Sequence, residues 1–195
     1  MLDTKARKYF NPLFETIAKY FVNLKISANQ ITLLSFGLGI ICAVFVYFKI
    51  YFLALIFLWL SGLFDAVDGE VARMTNTKSK FGAQIDIVSD RIVELAFIWA
   101  LALSNENITA SLLFLVSMIL ISMTLFLTTG MIAENKTKKS FYYQSGLMER
   151  TEGFIMFSLI IIFNKHMKLI IIIYSVLILI TIIQRMFESF KISKE

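Results

Sequence analysis

The chain has 195 residues, 58% hydrophobic and 17% charged, with a net charge of +5 and a mean hydropathy of +0.76. A water-soluble domain sits near half apolar and a quarter charged, so this chain has too little polar surface to cover a soluble fold. The positive charge points to a membrane rather than to nucleic acid, because the cations fall in short segments between apolar runs.

Residues 1–25 contain no secretory signal, since no apolar core precedes a cleavage site. Phe10, Leu13, Phe14, Ile17, Ala18 and Phe21 recur at helical spacing, with Lys5, Lys8, Glu15 and Lys19 mostly off that face. This predicts an amphipathic helix lying in the membrane interface; a helix packed on the protein is the alternative. Apolar runs follow at 29–48, 50–72, 81–104, 107–133, 150–164 and 167–187. Each approaches the roughly 20 residues that cross a hydrocarbon core about 30 Å thick. One proline and eight glycines leave little to interrupt them. Cys42 lies inside an apolar run, cannot form an intrachain disulfide, and reads as a packing residue.

The expected fold is therefore an all-α membrane protein: six transmembrane helices preceded by an N-terminal amphipathic interfacial helix. No internal repeat or linker divides it, so 1–195 reads as one domain, with 1–25 the interfacial helix and 29–187 the membrane bundle. Six spans put both termini on one side. That side collects fifteen of the 19 Lys and Arg residues, against Lys49, Lys165 and Lys168 on the other, with Arg91 inside a span. The positive-inside rule then places both termini in the cytoplasm, in a multi-pass protein of the cell membrane.

Four acids stand against this apolar background. Asp65 and Asp68 close the second run, and Asp86 and Asp90 open the third. A charge at mid-membrane costs roughly 2.5–3.5 kcal/mol on insertion scales; these lie nearer the interface, yet four still need compensation. The members of each pair are three or four residues apart, so each pair shares a helix face. The polar stretch Met74–Lys80 is short enough to return the chain as an antiparallel neighbour. Two facing pairs then form a cage of carboxylate oxygens suited to magnesium, manganese or calcium. Gly69, Ala72 and Gly82 flank the acids and let a backbone or ligand approach, and Arg73 adds a cation able to meet phosphate. Spacing alone leaves a metal-dependent phosphoryl enzyme and a divalent-cation transporter as competitors. The transporter would need acids in the other span interiors and access from both sides; a purely structural protein leaves Asp90 and Gly82 unexplained.

The segment Asp65-Ala-Val-Asp68-Gly69-Glu-Val-Ala72-Arg73, followed by Gly82, Asp86 and Asp90, resembles the signature of the CDP-alcohol phosphatidyltransferase family at all eight fixed positions. The entry Ser27-Ala28-Asn29-Gln30-Ile31-Thr32 to the first span is also similar. The resemblance implies transfer of a phospho-alcohol from a CDP-linked donor to a hydroxyl acceptor, with release of CMP. It implies that Asp65, Asp68 and Asp86 bind Mg2+ or Mn2+, and that Asp90 completes the site and acts as general base. It also implies that Gly69, Ala72, Arg73 and Gly82 line the nucleotide pocket, that Asn29 and Thr32 approach the donor diphosphate, and that the enzyme is a homodimer with its site facing the cytoplasm.

The resemblance thins where the acceptor is chosen. Leu127–Glu134 carries no Lys or Arg, where many relatives with a phosphorylated acceptor are basic. A pattern like Gly-x-x-x-Arg-x-Glu-Arg becomes Gly146, Arg150, Glu152 and Gly153, keeping one arginine of two. Fewer cations favour an acceptor without a phosphate, although Lys136, Lys138 and Lys139 lie within reach in sequence. Arg150 is read either as an acceptor ligand or as a positive-inside anchor. Glu94 reads as structural, paired with Arg91 or a partner subunit, and His166 as a surface residue far from the acids. The motif serves two directions: CDP-diacylglycerol with a small alcohol, which the compact six-span plan favours, or CDP-choline or CDP-ethanolamine with a lipid alcohol.

Overall fold

The computed structural model describes residues 2–77, 79–134 and 146–194, with backbone only for 2–10, 80, 132–134, 193 and 194. Among these residues it contains seven α-helices, two 3-10 turns and no strand: α1 (Leu2–Asn23), α2 (Ala28–Tyr47), α3 (Tyr51–Met74), α4 (Lys80–Ser104), α5 (Thr109–Glu134), α6 (Arg150–Ile162) and α7 (Met167–Lys194). The 3-10 turns are Glu106–Ile108 and Asn164–His166. Four segments among the described residues are long and apolar enough to cross a membrane: Ala28–Tyr47, Tyr51–Met74, Glu106–Met131 and Asn164–Ile192. The protein is a multi-pass membrane protein. The other two expected spans differ for identifiable reasons. α4 has ample length but carries Asp86, Asp90, Arg91 and Glu94, whereas α6 has 13 residues, about 20 Å of helix against a core of about 30 Å.

The chain forms two compact units, one spanning 5–106 and the other holding 107–195. In the first, α2 and α3 make an antiparallel hairpin, seen in the pairing of Thr32 with Asp68, Ser35 with Ser61, and Cys42 with Ala54. α4 returns parallel to α2, since Asn29 lies against Gly82 and Gly39 against Val93. Small residues make these approaches possible: a methyl group added at Gly39 would come within 2.5 Å of a Val93 methyl and 3.1 Å of Ser61 Oγ. Ser35 Oγ donates to Ser61 O at 2.8 Å and Ser61 Oγ donates to Ser35 O at 2.9 Å, a reciprocal bridge buried between the helices. Cys42, 1% exposed, donates to Ala54 O, which is a packing role.

α1 packs onto this hairpin. Ala18 is fully buried with Ile31, Val67 and Val71, and Phe14, Ile17 and Phe21 close round them. The Phe21 ring meets Phe64 edge-on at 5.8 Å, while Leu13 and Tyr20 face outward. Much of the apolar face expected to lie in lipid is thus covered by protein.

Each of the first three helices ends in a left-handed residue: Lys25 (φ 57°), Lys49 (φ 60°) and Asn76 (φ 54°). Ile26, Ile50 and Thr77 then donate to Phe21, Phe45 and Ala72 carbonyls, completing Schellman caps where glycine would be usual.

In the second unit α6 and α7 are antiparallel. Leu147 meets Gln184, Met148 meets Thr181, and the Phe157 ring meets Tyr174 edge-on at 5.7 Å. Arg185, 6% exposed, donates from Nη1 to Ser122 O and Oγ on α5 and stacks over Phe126 at 5.1 Å.

Candidate metal and nucleotide site

The site is built at one end of the α2–α3–α4 group. On α3 a single face carries Ala54, Leu58, Ser61, Asp65 and Asp68, all buried. The same stripe packs against α2 through its apolar and small members, then changes chemistry in its last two positions. The start of α2 is fixed by a capping box: Ser27 Oγ accepts from Gln30 N–H, and Gln30 Oε1 accepts from Ser27 N–H at 2.8 Å. This sets Asn29, exposed, and Thr32, buried, on the first turns beside the acids. The start of α4 is fixed by Ser79, whose hydroxyl accepts from Gly82 N–H at 2.9 Å. A methyl group on Gly82 would lie 3.0 Å from that hydroxyl and 3.6 Å from Asn29 Oδ1, so Gly82 lets the two helix starts meet.

Asp65, Asp68 and Asp86 each offer a carboxylate oxygen, and these three oxygens all lie within 4.8 Å of one another. Asp65 and Asp68 are 8% and 7% exposed. Two oxygens bound to one ion at about 2.0–2.6 Å can be at most about 4–5 Å apart, so the spacing fits a shared Mg2+, Mn2+ or Ca2+. Two unit charges 4.8 Å apart repel by about 3.5 kcal/mol at an effective dielectric of 20. A divalent cation offsets that cost, and an all-oxygen donor set selects hard cations. Asp90, half-buried one turn beyond Asp86 on α4, is not one of the three converging residues.

Thr32 Oγ1 donates to Asp68 Oδ2 at 2.5 Å, tying α2 to a carboxylate of the cage. Arg73 is paired with Glu70 on the same helix, and its Nη1 lies 3.9 Å from where a methyl group on Gly69 would stand. Gly69 and Ala72 are half-buried on this helix. A cavity of about 280 Å³ opens beside Asn29, walled by Lys25, Ser27, Thr75 and Thr77.

Other expected residues fall elsewhere. Arg91 pairs with Glu94 within α4. His166 is exposed in the 3-10 turn before α7. Arg150 begins α6, in the second unit. Lys136, Lys138 and Lys139 lie outside the described residues. Sequence reasoning missed the Glu70–Arg73 pair, although three-residue spacing of opposite charges on a helix is a legible signal. It also missed the hydroxyl on Asp68, for which a sequence carries no signal.

Comparison with known proteins bears on the same residues. The CDP-alcohol phosphatidyltransferase family matches over residues 25–184. A phosphatidylinositol phosphate synthase of Corynebacterium glutamicum is 32% identical over 80% of this chain and 71% of its own length. An archaetidylinositol phosphate synthase of Pyrococcus horikoshii is 29% identical over 98% and 97%. Among solved structures, the phosphatidylinositol phosphate synthase of Mycobacterium tuberculosis is 19% identical and shares the fold. With CDP-DAG bound it superposes at a TM-score of 0.75 over 91% of this chain and 94% of that one. It has also been solved in complex with manganese and citrate, with a TM-score of 0.74 over 91% and 88%. Of the two readings that spacing left open, the transferase stands and the cation transporter does not. The converging carboxylates, the eight matching positions and the extent of these matches make this chain a member of the CDP-alcohol phosphatidyltransferase family, a membrane transferase of phospholipid synthesis.

Proposed function

We propose that the protein transfers a phosphatidyl group from CDP-diacylglycerol, or an equivalent CDP-linked lipid, to the hydroxyl of a small alcohol, releasing CMP. The observation that carries this reading is the convergence of Asp65, Asp68 and Asp86 oxygens within 4.8 Å, at the α2–α3–α4 end that also presents Gly69, Arg73, Gly82 and Asn29. Those three aspartates hold Mg2+ or Mn2+, which when bound neutralises charge developing on the departing CMP. Gly69, Ala72, Arg73, Gly82 and Asn29 receive the nucleotide, and Asp65 and Asp68 face its diphosphate. Asp90 takes the acceptor's proton as the acceptor oxygen bonds to the β-phosphorus and the bond to CMP breaks. The relative solved with CDP-DAG supports the lipid donor, and the one solved with manganese supports the metal.

The same proposal covers the architecture. Residues 1–195 act as one catalytic domain, supported by a family match that runs through both units. α4 lies parallel to α2, and α6 antiparallel to α7, which fits alternating crossings within each unit; six crossings with both termini and the site on the cytoplasmic side follow from the cation asymmetry. α1 then rides at the interface with Leu13 and Tyr20 outward, and the enzyme works as a homodimer, as the family resemblance implies.

For the acceptor, the proposed reading is an alcohol without a phosphate. Gly153 stands where the second arginine of the pattern falls, and a methyl group there would already lie 3.0 Å from the Tyr174 hydroxyl. A phosphorylated inositol is the second reading, favoured by the names of the two relatives. The test is to incubate the purified protein with labelled CDP-diacylglycerol, Mn2+ and glycerol, inositol, serine, glycerol phosphate or inositol phosphate. CMP release with a neutral alcohol, abolished in Asp90→Asn, is expected. Release only with a phosphorylated acceptor would replace the first reading by the second, and release only from CDP-choline or CDP-ethanolamine would reverse the direction of transfer.

A further inference from the structure

We infer that Glu70 is a positioning residue for donor binding: its carboxylate holds the Arg73 guanidinium over Gly69, where the phosphates of the nucleotide are received. This rests on the proposed reading of Gly69 and Arg73 as nucleotide residues. Glu70 falls between the fixed positions Asp65, Asp68, Gly69, Ala72 and Arg73, so no role comes to it from the resemblance. Side chains on a helix lean toward its N-terminus. Arg73, near the end of α3, therefore lies back over the turn that holds Gly69 and Glu70. Its Nη2 donates to Glu70, and its Nη1 stands 3.9 Å from where a methyl group on Gly69 would be. Among the described residues no other atom comes within 4 Å of that position.

Asp65, Gly69 and Arg73 recur every four residues along one row of α3, so a guanidinium over Gly69 stands one turn from the carboxylate cage. The Glu70 side chain is 16% exposed and that of Arg73 36%, and Glu70 also interacts beyond this pair. The carboxylate is thus the more fixed member, and the guanidinium is the one it directs. A guanidinium has five N–H donors, and pairing through Nη2 leaves those on Nη1 and Nε for phosphate oxygens. An arginine without such a partner spreads over many rotamers, which a phosphate must then narrow to one. Glu70 narrows them before the nucleotide arrives. The same carboxylate also repels a diphosphate, since both are negative. Positioning and repulsion therefore predict opposite signs when the charge is removed.

The test is calorimetric binding of CDP to the full-length protein in detergent, at saturating Mn2+. Glu70→Gln, which keeps the shape and removes the charge, should weaken CDP binding about 3- to 10-fold, part of the cost of ordering an arginine side chain. Glu70→Asp, which can still pair three residues before Arg73, should bind within about twofold of wild type. In an Arg73→Ala background, Glu70→Gln should not weaken binding further, because only the repulsion is left to remove. A pair that serves the helix alone would lower the unfolding temperature and leave CDP affinity unchanged, which would overturn the inference. Tighter CDP binding in Glu70→Gln would overturn it too, as would equal weakening with and without Arg73. If Glu70→Gln does not elute as a folded species, Glu70→Ala makes the same comparison. Arg73→Ala separates the two levels: CDP binding equal to wild type would overturn the nucleotide reading of Arg73, and Glu70's role with it.

Discussion

Gly69 and Gly39 lie on neighbouring helices, and an added methyl group would meet very different surroundings at each. At Gly69 the nearest atom is Arg73 Nη1 at 3.9 Å, the far end of a flexible side chain. At Gly39 it would press on Val93 at 2.5 Å. Gly69→Ala should therefore leave the fold intact, and even gain from alanine's helix preference of about 0.8–1.0 kcal/mol, while CMP release falls if, as proposed, Gly69 lines the nucleotide pocket. Gly39→Ala should cost about 1–3 kcal/mol through overpacking. Thermal unfolding in detergent and CMP release, measured on both variants, check this; loss of stability in Gly69→Ala with activity retained would contradict it. At this scale the sequence was informative about charge and silent about hydroxyls. Four acids in an apolar chain with helical spacing have few explanations. The bond from Thr32 to Asp68 joins residues 36 positions apart and depends on how α2 and α3 cross.

The α2–α3 hairpin supports the site by polar contacts rather than by apolar area, since lipid removes the hydrophobic drive between helices. The reciprocal Ser35–Ser61 bridge sits one to two turns from the acids. A double-mutant cycle on Ser35→Ala and Ser61→Ala should give a coupling near 0.6 kcal/mol and no more than about 1.7 kcal/mol, the range found between membrane helices. A zero coupling would show that this bridge adds nothing to the other contacts between the two helices. The apolar runs predicted these helices well: the run at 29–48 became Ala28–Tyr47, and that at 81–104 became Lys80–Ser104. Two features escaped. The first three helix ends use Lys25, Lys49 and Asn76 in the left-handed conformation, where the usual stop signal is glycine. The fifth run continued to 164 in hydropathy, but the helix stops at Ile162 and passes into a 3-10 turn, which composition does not reveal.

For the whole molecule, the question left by a 13-residue α6 and a charged α4 is whether the chain crosses six times. Fifteen cations on one side, against three on the other, came from that count. In a Cys42→Ala background, Asn76→Cys and His166→Cys, both at exposed turns, should label from opposite faces of intact cells. Asn76→Cys should react only after the cytoplasmic side is opened. Labelling of both from one side would mean an even number of crossings between them, where six spans require three, and would contradict the topology.

All of this depends on three carboxylates gathering at one cation. Anomalous scattering from crystals of the full-length protein grown with Mn2+ locates that cation directly. A peak is expected between Asp65, Asp68 and Asp86, at about 2.0–2.6 Å from an oxygen of each. A Mn2+ peak elsewhere, with these side chains turned away from one another, would contradict it.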